Sequence, residues 1–139
     1  MTQDKELLLK DLCARLPYKP IVHIDDCGIW DLRGVDHDDS AELRDRVIVW
    51  HGENYPSSKN SFPIINCKPY LFPLSSMTEE QKKELDDTLV NLSLKVLSDE
   101  INSEVIATYE VDFYNKHHFD YRGLIEKGLA IDATGLNIY

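Results

Sequence analysis

Leu9, Leu12, Cys13 and Leu16 recur among Asp, Lys, Glu and Arg, and this i, i+3, i+4, i+7 spacing predicts a helix over residues 7–15 with one buried stripe. Pro17 ends it. Residues 21–25 are rich in β-branched side chains, Asp26-Cys27-Gly28 supplies a turn, and residues 29–33 continue as a second arm, so a β-hairpin is predicted. On that second arm Trp30 and Leu32 share one face and Asp31 and Arg33 the other, the alternation of a half-buried strand. Val47-Ile48-Val49-Trp50 is a short apolar strand. Residues 52–61 break any period and predict a surface loop before a fourth strand over 62–66, which Pro63 confines to a sheet edge.

In the second half, Pro69 and Pro73 each remove a backbone donor, so residues 68–74 are expected as an extended connector with apolar anchors. Thr78-Glu79-Glu80-Gln81 fits a capping box and opens a helix whose stripe is Leu85, Leu89, Leu92 and Val96. From 105 to 118 the pattern is double: Val105, Ala107, Tyr109, Val111 and Phe113 alternate, while Ile106, Tyr109, Phe113 and His117 fit a helical face. The expectation is a short strand followed by a helix. Leu124, Ile125, Leu129 and Ile131 pin the tail, with Gly123 and Gly128 as punctuation. The whole predicts one α+β domain over 1–139: an N-terminal helix, a small, mainly antiparallel sheet of about four strands within 21–66, and a helical C-terminal half.

With 139 residues, the chain is long enough to bury a core without metal or disulfide staples, and its 42% apolar and 29% charged content excludes a disordered or fibrous class. The balance of 25 acidic against 15 basic residues, a net charge of -10, argues against nucleic acid as a partner, since a phosphate backbone needs cations. Imitation of nucleic acid would demand carboxylates ordered along one face. Cys13, Cys27 and Cys67 are an odd number, far apart, which fits reduced, partly buried thiols and neither a disulfide framework nor a structural zinc site. The first residues lack a secretion signal and no apolar run approaches a membrane span, so the expectation is a cytoplasmic protein without membrane contact.

The densest chemistry is His117-His118-Phe119-Asp120-Tyr121-Arg122-Gly123. His117, His118, Asp120, Tyr121 and Arg122 form the candidate functional cluster: an imidazole moving protons or binding metal, Asp120 orienting it, Arg122 holding an anion. Neighbours on a helix point about 100° apart, however, whereas zinc helices place histidines at i and i+4. The competing structural reading is a helix end whose histidine complements the negative pole while Asp120 and Arg122 tie down the next turn. Asp36-His37-Asp38-Asp39 lacks the glycine and distal glutamate of a calcium loop and reads as a solvated acidic loop. No phosphate loop, serine elbow or paired-carboxylate signature occurs, and neither a metal nor a cofactor is predicted. Tyr55, Tyr70 and Phe72, on the 52–61 loop and the adjoining connector, are the candidate interaction surface.

Two stretches, Lys68-Pro69-Tyr70-Leu71-Phe72-Pro73-Leu74-Ser75-Ser76-Met77-Thr78-Glu79-Glu80 and His117-His118-Phe119-Asp120-Tyr121-Arg122-Gly123-Leu124-Ile125, together resemble a family of small bacterial proteins that also occurs in phage-like and other mobile-element contexts. The resemblance implies no activity and leaves residues 21–66 unconstrained. Members often carry arginine where this chain has Phe72, so an anion-binding connector is not implied here. The functional expectation is a non-enzymatic cytosolic protein-interaction domain of mobile-element origin, with a protein as partner. The alternative is a small metal-assisted or acid-base enzyme using His117, His118 and Asp120.

Overall fold

The helix α1 (Thr2–Arg15) runs into a short 3-10 turn at Leu16–Tyr18, where Pro17 stops it. In the computed structural model, which describes residues 2–36, 45–50 and 60–139, this helix covers one face of a mixed sheet. The hairpin forms as its sequence dictates: β1 (Ile21–Ile24) pairs antiparallel with β2 (Gly28–Asp36) through a turn in which Asp26 and Gly28 take left-handed φ values of 63° and 86°. A register shift between Leu32 and Gly34 marks a bulge where β3 (Arg46–Trp50) joins, and β4 (Asn60–Pro63) closes that edge. The strand carrying Pro63 is at an edge, as expected, but it ends there, and Ile64–Asn66 winds into a 3-10 turn. The acidic loop around His37 and the Tyr55 loop lie outside the described residues.

The expected connector is instead a strand inside the sheet, β5 (Cys67–Pro73), which pairs antiparallel with β1. Its prolines are tolerated for a reason the sequence does not carry. Asp25 N–H donates to the Asn66 carbonyl, so along the antiparallel ladder the Val22–Pro69 pair falls at a non-hydrogen-bonded position and the missing N–H costs no ladder bond toward β1. Beyond Pro69 the strand gains two parallel partners, β6 (Phe119–Asp120) and β7 (Ile131–Asp132). The path is β4-β3-β2-β1-β5-β6, with β7 also on β5, so the sheet has seven strands and a parallel patch, more than the four antiparallel strands predicted. Leu71 accepts from Ala133 N–H while Phe72 N–H donates to the His118 carbonyl, because successive residues of a strand bond toward opposite edges.

Three clusters make the interior. Leu8 and Leu12 of α1 lie over Val22, Ile24, Trp30, Leu32, Val47 and Val49, each buried aliphatic contributing about 1.5–3 kcal/mol relative to exposure. Leu71, Leu124 and Ala130, flanked by Ile125 and Leu129, hold the tail as expected. Leu85, Phe113 and Phe119 join α2 (Glu79–Leu97) and α3 (Glu104–Lys116) to the sheet, with Leu89 and Tyr109 beside them.

Two periodicities resolve differently from the sequence reading. The buried face of α1 is Leu8-Asp11-Leu12-Arg15, one position off the expected stripe, and Cys13 is exposed. Asp11 and Arg15 are buried because each neutralises the other, a pairing that hydropathy alone assigns to solvent. Residues 105–118 hold no strand: α3 is continuous to Lys116, with Phe113 inside and the alternating Val105 and Val111 exposed. The helical face was the operative pattern, since Phe113 has the α2 stripe to pack against. The capping box at Thr78 forms in full: Gln81 N–H donates to Thr78 Oγ1 at 3.1 Å, and Thr78 N–H to Gln81 Oε1 at 2.9 Å.

Candidate functional site

The short strand β6 begins at a forced bend. His117 caps α3, and His118 takes φ 62°, a left-handed conformation few non-glycine residues adopt, which turns the chain so that Phe119 and Asp120 run beside Phe72 and Pro73. The stretches 68–80 and 117–125 are thereby hydrogen-bonded neighbours, Phe72 N–H donating to the His118 carbonyl.

Beneath them lies a buried charged group. Arg15, fully inaccessible, donates from Nε to Asp11 Oδ2 at 2.8 Å and from Nη2 to the Phe119 carbonyl at 2.6 Å. Arg122 Nε stands 3.3 Å from Asp11 Oδ1, an ion pair without hydrogen-bond alignment. Burial pushes the Asp11 carboxyl up from its ordinary value, against the pull of Arg15 and Arg122. Both guanidinium groups lie over the Tyr121 ring, at 5.3 and 5.0 Å, and Tyr121 stacks on Tyr114. Asp120 accepts from the N–H groups of Leu124 and Ile125, both at 2.9 Å, and so ties down the following turn. Asp120, Tyr121 and Arg122 are thus engaged in holding α1, β6 and the tail together.

The two histidines part company. His118 lies flat on Tyr139, with ring centroids 3.6 Å apart, and burial, followed by Arg15 and His117, lowers its pKa to about 4. His117 packs on Phe113 at 4.5 Å and faces a cleft of about 280 Å³. Its Nε2 is buried without a hydrogen-bond partner, and burial together with Lys116 lowers its pKa as well, against the weaker pull of Glu84. The proton-transfer or metal constellation imagined for His117, His118 and Asp120 therefore finds each side chain against a different neighbour. Among the described residues no group of three or more His, Cys, Asp or Glu side chains is placed to hold a metal ion.

The cleft beside His117 has Phe72 and Phe119 as aromatic wall, Ser76, Thr78 and Gln81 from the chain leaving β5, and Thr134 and Gly135 from the chain leaving β7. No lining side chain is a formal ion at neutral pH, given the lowered His117 pKa. A second hollow of about 530 Å³ opens between Pro73-Leu74-Ser75 and the Asp120–Glu126 turn. A third, about 200 Å³ and mostly apolar, lies between Leu8, Ile65 and Leu129.

Of the expected interaction surface, Tyr55 is outside the described residues. Tyr70 is only 6% exposed, its ring edge-on to His23, and Phe72 is half-buried against Phe119 and Tyr139, so these two rings serve the interior and the cleft wall. Among the described residues the most exposed large apolar side chains share the outer face of α2: Val90, Leu94 and Leu97 are 61%, 57% and 82% exposed. The i, i+4, i+7 spacing of these three was legible in the sequence, beside the Leu85 stripe that packs inward. None of the described helices is long and apolar enough to cross a membrane.

Comparison with family models, curated proteins and solved structures finds no match to this chain.

Proposed function

We propose that the chain is a non-enzymatic protein-interaction domain of the cytoplasm. The observation that carries this reading is the apolar stripe Val90-Leu94-Leu97 on α2, a helix that already spends its other apolar stripe on the body of the protein. Free thiols at the exposed Cys13 and Cys27 suit a reducing compartment. Asp86 and Asp87 precede the stripe, Asp99 and Glu100 follow it, and all four are exposed on a chain of net charge -10. A second copy would bring like charges together, so the occupant is a segment of another protein whose apolar residues are flanked by lysine or arginine.

The test is a titration with two amphipathic helical peptides of equal apolar content, one cationic and one acidic. The cationic peptide alone is expected to bind, with an affinity that weakens as salt rises, and Leu94→Glu with Leu97→Glu is expected to abolish binding. Equal binding of both peptides, or binding retained by the double variant, defeats the proposal. A stable dimer in sedimentation would replace the foreign partner with a second copy.

A further inference from the structure

We propose that β4 is a guarded edge: Arg46, Asn60 and Pro63 close the outermost strand of the sheet against strand addition by a second copy of this chain. The guard is independent of the α2 stripe, and either can fail without the other.

The sheet makes such a guard necessary. Among the described residues β4 is the outermost strand at one end, paired with the apolar run Val47-Ile48-Val49 of β3. An outermost strand presents a row of unpaired N–H and C=O groups, a template for another chain. At the other end β6 and β7 are two residues long each, and that shortness alone keeps a strand from adding there.

Register decides which groups of β4 face outward. Ile64 N–H donates to the Asp45 carbonyl, and the pairing continues as Arg46–Pro63, Val47–Phe62, Ile48–Ser61 and Val49–Asn60. Bonded and non-bonded pairs alternate along an antiparallel ladder, so Phe62 and Asn60 bond to β3 while Ser61 and Pro63 turn their backbone groups outward. Each of those groups is already engaged. Ser61 N–H donates to Asn60 Oδ1 at 2.8 Å. The Ser61 carbonyl accepts from Arg46 Nη2 at 2.9 Å, while Arg46 Nε donates to Ser61 Oγ at 2.7 Å, so one guanidinium holds both oxygens of the residue. Pro63 has no N–H, and its carbonyl is at the N-cap of the Ile64–Asn66 turn, where it accepts the first bond of that turn.

An arriving strand would have to displace Arg46 and Asn60 and would meet no donor at Pro63. Exchanging one hydrogen bond for another yields little, so the guarded edge gives a second copy no net reason to pair.

The experiment compares the full chain with a double variant, Asn60→Ala with Pro63→Val, and a triple variant that adds Arg46→Ala. Sedimentation velocity over a range of concentrations reads association, and amide exchange at Ser61 reads its location. Asn60 is exposed, and Pro63 has φ -56° and ψ 139°, an extended backbone open to valine, so the double variant is expected to keep the fold. It also leaves the net charge at -10, so its association has no electrostatic origin. Arg46→Ala makes the charge more negative, which by itself opposes self-association. The double variant is expected to self-associate at least about tenfold more strongly than the parent chain, and the triple variant more strongly still. Ser61 exchange is expected to slow in both as concentration rises. The double variant decides the matter where the triple variant unfolds. A double variant that is folded by circular dichroism and sediments like the parent chain overturns the proposal. So does association that leaves Ser61 exchange independent of concentration, because the contact then lies elsewhere.

Discussion

The imidazole of His118 lies on the ring of Tyr139 with centroids 3.6 Å apart and planes within 12° of parallel, so a residue of the bend before β6 is sealed by one more than twenty positions later. Burial is the main reason that its pKa falls from 6.5 to about 4, with Arg15 and then His117 adding to the effect. The unfolded chain binds a proton at pH values where the native chain does not, so stability is full above about pH 6.5 and is lost as pH falls toward 4. Screening at the solvent-facing edge of the ring limits the loss to about 1–2 kcal/mol. Asparagine tolerates the left-handed backbone of position 118, so His118→Asn is expected to fold and to flatten the acid limb of a stability-against-pH curve measured by urea denaturation. An unchanged limb would show that His118 titrates normally.

Tyr139 also closes the sheet. Its hydroxyl receives the Ile21 N–H at 2.9 Å and donates to the Tyr70 carbonyl at 3.0 Å, bridging β1 and β5 just past the last paired residues. The residue is 41% exposed overall, yet its hydroxyl is the buried end, and burial raises the phenol pKa to about 12. Tyr139→Phe should cost about 1–3 kcal/mol, and amide exchange at Ile21 should quicken selectively. Uniform acceleration across β1 would instead indicate a general loosening.

The Asp11–Arg15 pair predicts a strong non-additivity. Arg15→Met strands a buried carboxylate with only the looser contact from Arg122, and should cost about 3–5 kcal/mol. Asp11→Leu strands the guanidinium in the same way. The double variant should recover much of the loss, because the desolvation of both ions disappears together. Thermal unfolding of the four proteins measures the coupling, and additive losses would mean that the pair is not an interacting unit.

Asp120 is expected to act through two backbone amides. Asp120→Ala should destabilise by about 1–3 kcal/mol and speed exchange at Leu124 and Ile125, while Asp120→Asn, which keeps one acceptor, should show the smaller effect.

Local rules carried the reading furthest where neighbours in sequence are neighbours in space. The hairpin at Asp26-Cys27-Gly28 and the Thr78 cap followed from residue types alone, since each is closed by hydrogen bonds over a few residues. In the His117 to Arg122 run, the reading in which Asp120 ties down the next turn rests on neighbours in sequence, whereas the partners of His118 and Arg122 come from outside the run. Those of His118, Arg122 and Asp120 are Tyr139, Asp11 and the amides of Leu124 and Ile125. The outward stripe of α2 was overlooked because the inward stripe at Leu85, Leu89, Leu92 and Val96 already satisfied the expectation of one apolar face.

The amino-acid order by itself determined the α+β class, the opening helix, the hairpin, the edge position of the Pro63 strand and the start of α2, because propensity, turn chemistry and capping act over one or two turns of chain. Only the tertiary structure decided that Pro69 lies within a central strand, that Arg15 is buried, and that His118 is stacked on a C-terminal ring. Each of those outcomes depends on a partner supplied from far along the chain: the register against Val22, the Phe119 carbonyl that accepts from Arg15, and the Tyr139 ring. A side chain's environment is set by what packs against it, and that is a property of the closed fold.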